Sequence, residues 1–196
     1  MKALTARQED ALREVAHLGS AQAASMLARL VGDVGVLVDV PQVLAANKWQ
    51  LGWLLGGRDV KVLAATFAIE GDIAGQLWWV LKADNAERLG LRLLQRPGLK
   101  GPLPGAAGAA LAEAANIVAS SCLSAIGTMV HAAMLPSTPE LLEVPVAALV
   151  GEPVDAPFKT VLAASFVSTN APSFAGWLLV LLDEARRDAL LQRLGL

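Results

Sequence analysis

The hexapeptide VLAATF at Val62 to Phe67 returns as VLAASF at Val161 to Phe166, 99 residues farther along the chain. A recurrence of this length constrains a fold more than any local propensity, because each copy has to build the same supersecondary unit. The same displacement carries Glu14 onto Glu113 and His17 onto Asn116. Later, AGQLWWVL (Ala74 to Leu81) corresponds to AGWLLVLL (Ala175 to Leu182) at an offset of 101, and the two extra residues fall in the loop STNAPS. Lengthening a loop by two residues costs little. The chain therefore reads as one domain over residues 1–196, built of two repeats at about 9–96 and 105–196. The Pro/Gly-rich stretch RPGLKGPLPGAAG (Arg96 to Gly108) is the expected linker.

Each repeat opens with a segment of helical period, passes through three strand-like runs and closes in a charged helical segment. In the first repeat the runs are Val34 to Val40, Val60 to Ile69 and Gly75 to Lys82, followed by DNAERLGLRLLQ with Asp84 as its candidate cap. In the second they lie at Leu142 to Val150, Phe158 to Val167 and Gly176 to Leu182, followed by DEARRDALLQRLGL. The expected fold class is α+β, internally duplicated with pseudo-twofold symmetry, with about six strands and long amphipathic helices packed on the sheet.

With 55% hydrophobic residues, the chain can bury a substantial core. A net charge of −2 with scattered Lys and Arg speaks against nucleic acid and anionic membrane surfaces as partners. Cys122 is the only cysteine, which excludes an intramolecular disulfide and a cysteine metal cage and suits a reducing, cytoplasmic compartment. Its apolar neighbours mark it as an inert buried thiol. Glu9, Asp10 and Glu14 interrupt the region where an export signal needs an apolar core.

Ala114 to Leu135 contains no Asp, Glu, Lys or Arg and has the length of a membrane span. Its Asn, Ser, Thr and His content instead reads as a buried helix without membrane insertion. No second ligand stands at metal-binding spacing from His17 or His131, so no metal site is expected and His131 reads as a core residue. LGGRD (Leu55 to Asp59) lacks the Lys and Ser or Thr of a phosphate loop and reads as a turn. Trp49, Trp53, Trp78, Trp79 and Trp177 read as packing residues, with Trp78 and Trp79 on opposite faces of one strand.

At about 100° per residue, Leu12, Val15, Ala16, Gly19, Ala23, Met26, Leu27 and Leu30 form one apolar stripe of the first helix. Leu111, Ala114, Ala115, Val118, Cys122, Ala125, Ile126 and Met129 form the corresponding stripe in the second repeat. Asp10, Glu14 and His17 point away from the first stripe, and Glu113 and Asn116 away from the second. Glu113 and Asn116 stand one turn apart and can act on one object. Ala109 and Ser120, the flanking outward positions, are small enough for a partner to come close.

The run Glu113, two residues, Asn116, 22 residues, Pro139 resembles the signature of the CheC, CheX and FliY type of phosphatases, which act on the phosphorylated chemotaxis response regulator CheY. That signature reads Asp or Ser, three residues, Glu, two residues, Asn, twenty-two residues, Pro; its leading position is Ala109 here. HLGSAQAASMLARLVG (His17 to Gly32) is similar to the first helix of CheC, and FAIEGDIAGQLWWVL (Phe67 to Leu81) to the strand, turn and strand around Glu-Gly-Asp in the family. In the first repeat Asp10 and Glu14 fit the motif, but His17 occupies the Asn position and Pro41 follows after 23 residues. The resemblance thus implies an intact second site and an altered or degenerate first one.

The resemblance further implies a phosphatase with no cofactor of its own, because the receiver domain of the partner carries the divalent metal, the phosphorylated Asp and a Lys. Asn116 would position the hydrolytic water, and Glu113 would bind the partner's Lys. CheD is a second partner the family suggests. The rival expectation is a non-catalytic adaptor on the same fold, binding CheD or phosphorylated CheY or serving as a scaffold similar to the flagellar switch proteins FliM and FliN.

Overall fold

The computed structural model describes residues 3–32, 35–95, 105–151, 159–170 and 173–196. The chain runs α1 (Ala6–Val31), β1 (Val36–Val38), β2 (Gln42–Ala46), α2 (Lys48–Leu54), β3 (Lys61–Gly71), β4 (Gly75–Lys82) and α3 (Ala83–Leu93). It continues α4 (Gly105–Val130), β5 (Met134–Pro136), β6 (Glu140–Pro145), α5 (Val146–Val150), β7 (Lys159–Ser168), β8 (Ala175–Leu182) and α6 (Glu184–Arg193). Helix, two short strands, short helix, long hairpin and helix thus follow one another once through Leu93 and again from Gly105.

Among the described residues the fold holds eight strands where the sequence suggests about six. The two additional strands are β2 and β5, whose runs QVLAA and MLP are too short to display a period. The expected run Leu142 to Val150 divides into the end of β6 and the short helix α5. Of the expected linker, residues 96–104 lie outside the described residues, and Gly105 to Gly108 form the first turn of α4. Val34 and Phe158, named as strand ends, also lie outside them.

All pairings are antiparallel, and the central order is β1-β7-β8-β4-β3-β5, with β2 also on β7 and β6 also on β3. The short strands are exchanged between the halves of the chain: Val36 pairs with Ser168 and Gln42 with Ala163, while Ile69 pairs with Pro136 and Lys61 with Pro145. The two long hairpins meet where Trp78 faces Leu179 and Val80 faces Trp177.

Both faces of the sheet are covered, so β3, β4, β7 and β8 read as nearly unbroken apolar runs. Leu63, Ala65, Phe67, Leu77, Trp79 and Leu81 point into a core beneath the long helices. On the opposite face Val62, Ala64, Val80, Val161, Ala163 and Leu179 pack under α2 and α5. Trp79 is fully buried while its neighbour Trp78 is half-buried on the other side, the alternation expected of a strand.

Helix α1 starts at a capping box: Thr5 Oγ1 accepts from the Gln8 N–H (3.3 Å), and Gln8 Oε1 accepts from the Thr5 N–H (3.1 Å). It stops at Gly32, which takes the left-handed conformation at φ 62°. Asp84 does not cap α3, whose N-cap is Lys82; it lies in the first turn and pairs with Arg88 at 3.1 Å. The chain leaves the strand directly into that helix and allows no residue for a separate cap loop.

The two long helices lie against each other. A Cβ on Gly19 would stand 2.9 Å from Ile126 and 3.0 Å from the sulfur of Cys122, so only glycine permits this approach. Val118, earlier in α4, shares a small pocket with Ala24 and Leu27, later in α1, so the helices run antiparallel. Burial pushes the Cys122 thiol up to about 12. Helix α4 has the length and apolarity of a membrane span, and its inward side, from Leu111 through Val130, is built into the main core.

Candidate functional site

Helical period and burial together fix which side chains of α4 face out. Leu111, Ala114, Ala115, Val118, Ala119 and Cys122 are inside, leaving Ala109 and Glu113 exposed and Asn116 half-buried on the opposite side. Among the described residues neither Glu113 nor Asn116 forms a hydrogen bond or ion pair with another side chain or with the backbone outside its helix. A carboxylate and an amide one turn apart thus stand with their polar atoms available to a partner.

The corresponding face of α1 carries Asp10, Glu14 and His17, all exposed. Asp10 is engaged by Arg13 at 2.6 Å, and the same guanidinium reaches Glu9 at 2.8 Å. Ser20 Oγ donates to the His17 carbonyl at 3.1 Å, which fixes backbone and leaves the imidazole outside. Because α1 and α4 are antiparallel, with Gly19 beside Cys122 and Ile126, the Glu14–His17 pair and the Glu113–Asn116 pair fall toward opposite ends of the helix pair. The structure therefore does not bring the five residues into one site.

Beyond Asn116 the outward face continues through Ser120, Ser124 and Thr128 to His131. Together with Leu135 and Pro136 they line an open groove of about 690 Å³ between α4 and β5. From the sequence, Ser120 stands out only as a small neighbour; the recurrence of Asn, Ser, Ser and Thr every fourth residue from 116 to 128 is the signal for the longer face. His131 is not a core residue as expected. It is exposed at φ 50°, in the turn that leaves α4, where its carbonyl accepts from Arg193 at 3.0 Å.

That turn is held by the Glu-Gly-Asp stretch at which β3 ends and the chain turns toward β4. Asp72 Oδ2 accepts from the Ala133 N–H at 2.9 Å, and the Asp72 N–H donates to the Ala133 carbonyl at 2.9 Å. Gly71, at φ 109°, is required because a Cβ would lie 2.4 Å from the Ala133 oxygen. Ser137 then joins β3 through two hydrogen bonds with Ala68, and Pro139 follows, half-buried, just ahead of β6. The segment between the end of the site helix and Pro139 is thereby fastened to the sheet.

Among the described residues no three His, Cys, Asp or Glu side chains cluster as metal ligands. The turn at Leu55 to Asp59 has Gly56 and Gly57 at positive φ, in keeping with its reading as a turn. The expectation that all five tryptophans serve as packing residues fails at Trp49 and Trp53, which are exposed on α2.

No family model matches the chain. A curated relative, the CheY-P phosphatase CheC of Bacillus subtilis (strain 168), is 30% identical over 137 residues, covering 68% of this chain and 65% of that protein, just under two thirds of its length. Among solved structures, FliY of Thermotoga maritima is similar with a TM-score of 0.76 and 15% identity over 99% of this chain and 98% of that one. A chain of the CheX-CheY-BeF3-Mg2+ complex from Borrelia burgdorferi is similar with a TM-score of 0.56 and 13% identity over 87% of this chain and 97% of that one. The chain thus shares the fold of these solved structures, an antiparallel sheet beneath two long helices, and is similar in sequence to CheC over most of its own length.

Proposed function

We propose that the protein is a phosphatase that hydrolyses the aspartyl phosphate of a CheY-like response regulator, with Asn116 positioning the attacking water and Glu113 docking the partner. The observation that carries this reading is the outward-facing pair of exposed Glu113 and half-buried Asn116, one turn apart on α4 and without partners among the described residues. The name of the B. subtilis relative and the composition of the B. burgdorferi complex support the choice of substrate.

An aspartyl phosphate is an acyl phosphate. Its hydrolysis requires a water in line with the breaking P–O bond while charge on the phosphoryl oxygens is stabilised. The receiver, as substrate, brings its own divalent ion and Lys, so the phosphatase has to supply geometry. The Asn116 amide offers a donor and an acceptor to one water. The Glu113 carboxylate, one turn back, pairs with the receiver's Lys and sets the distance at which the amide enters. Small residues at Ala109 and Ser120 leave room for that approach.

Positioning of this kind is worth about 10² to 10⁴ in rate. The test follows radiolabelled phosphate on a cognate CheY-like receiver with wild type, Asn116→Ala and His17→Ala. Wild type should accelerate decay, Asn116→Ala should lose nearly all of that acceleration with unchanged melting, and His17→Ala should stay within about twofold of wild type. Binding of the phosphorylated receiver without any acceleration would replace this reading with the adaptor one.

A further inference from the structure

One turn beyond Asn116, at Ser120, the outward face of α4 becomes a wall of the groove of about 690 Å³. Glu113, Asn116, Ser120, Ser124, Gly127 and His131 fall within about 80° of one another around the helix, so the groove lies in line with the Glu113–Asn116 pair. Gly127 lets the opposite wall close in, because a Cβ there would stand 2.6 Å from the Ala132 oxygen and 3.7 Å from the Met134 nitrogen. That wall is β5, where Leu135 is 62% exposed beside a buried Met134. It is fixed in advance by the two hydrogen bonds between Asp72 and Ala133 and by the Arg193 guanidinium on the His131 carbonyl.

We propose that this groove is a second contact for the same receiver whose phosphoryl group meets Asn116, with Leu135 packing against an apolar side chain of that receiver. The occupant is taken from the phosphatase reading of the Glu113–Asn116 pair, on which this proposal rests. Geometry supplies the remainder. Asn116 is short and half-buried, so its amide reaches a phosphoryl group only when the surface of the receiver lies against α4. A stable contact between two proteins covers about 800 Å² on each, a patch about 28 Å across. Centred on Asn116, such a patch extends about 14 Å along the helix, or about nine residues, and so overruns Ser120 and Ser124 at the groove. A partner that close either fills the groove or traps it empty, and filling it removes the apolar surface of Leu135 from water. Asn116 then governs the chemical step, while the groove governs how tightly a given receiver is held.

The test separates binding from hydrolysis. A cognate CheY-like receiver, held in its active form by beryllofluoride and magnesium, is titrated into the whole protein in a calorimeter. Leu135 and Ser124 are exposed, so Leu135→Ala and Ser124→Trp leave the core intact, and circular dichroism confirms that both variants are folded. Each should bind the receiver at least about tenfold more weakly than wild type. In hydrolysis of the phosphorylated receiver, each should raise KM with kcat within about twofold of wild type. Trp53→Ala, exposed on α2 at the opposite face of the sheet, should match wild type in both assays. Binding within about twofold of wild type in the two groove variants, or a lowered kcat at unchanged KM, would overturn the proposal and leave the phosphatase reading standing. Leu135-dependent binding without any acceleration by wild type does the reverse: the groove contact holds and the phosphatase reading falls. A receiver that wild type fails to bind overturns the proposal, as does a dimer in sedimentation velocity that Leu135→Ala dissolves, since the groove would then serve a second copy of the chain.

Discussion

Replacing Gly71 by alanine combines two costs that Gly32 separates. Gly71 has φ 109°, and the new Cβ would stand 2.4 Å from the Ala133 oxygen and 2.9 Å from its carbonyl carbon. The positive φ costs an L-residue about 1–2 kcal/mol. The overlap adds about 1–3 kcal/mol, because backbone cannot rotate away as a side chain does and Ala133 is held by Asp72 from two directions. A total of about 2–5 kcal/mol in a domain of this size lowers Tm by about 4–20 °C. Gly32 has φ 62° with nothing within 4 Å of where a Cβ would stand, so Gly32→Ala carries the conformational cost alone, about 1–2 kcal/mol. Urea unfolding followed by tryptophan fluorescence gives both values under one set of conditions. Equal losses in the two variants would refute the steric argument, and a Gly71→Ala loss below about 1 kcal/mol would refute the conformational one as well.

Leu12 and Leu111 are both fully buried, and each change to alanine should cost about 2–5 kcal/mol in the same urea assay. Cys122, with its thiol pushed up to about 12, should not react with Ellman's reagent at pH 8 in the native protein and should react at once in 6–8 M urea, a concentration chosen to be about that of full unfolding. Asp183 caps α6; burial pulls its carboxyl upward, but the Arg186 N–H, the Arg186 guanidinium and Lys159 outweigh this and hold it below the usual carboxylate range. A depressed native value means that its contribution is complete above the unfolded value and is lost as pH falls through the native one. Wild type should therefore lose its stability advantage over Asp183→Asn below about pH 4, as thermal melts across pH 2–7 would record.

What the sequence reveals depends on whether a feature leaves a local trace. The stripes of α1 and α4 are legible because amphipathic helices write their burial every three to four residues. Leu12, Val15, Ala16, Gly19, Ala23 and Leu27 are all inside, although Met26 and Leu30 at the edge of the stripe are only half-buried. The strands β2 and β5 leave no trace, being stabilised by pairing with β7 and β3 and not by a period of their own. His131 departs from expectation because an apolar neighbourhood in sequence does not reveal that the chain turns there into the left-handed region. Trp49 and Trp53 depart from it because a short helix lying on a sheet buries only one side, and Leu51 and Leu55 take it. Glu113 and Asn116 are legible as outward-facing neighbours from period alone, whereas their assignment to catalysis rests on motif spacing.

The exchange of short strands between the halves bears on how the chain is made. A ribosome delivers Val36 and Gln42 long before their pairing partners Ser168 and Ala163. Until then the first hairpin exposes the edge of β3, the position that β5 and β6 later occupy. Pairings so distant in sequence are slow to form and leave strand edges open to other chains meanwhile. A fragment that stops near residue 95 is accordingly expected to aggregate and not to fold as a half-sized protein.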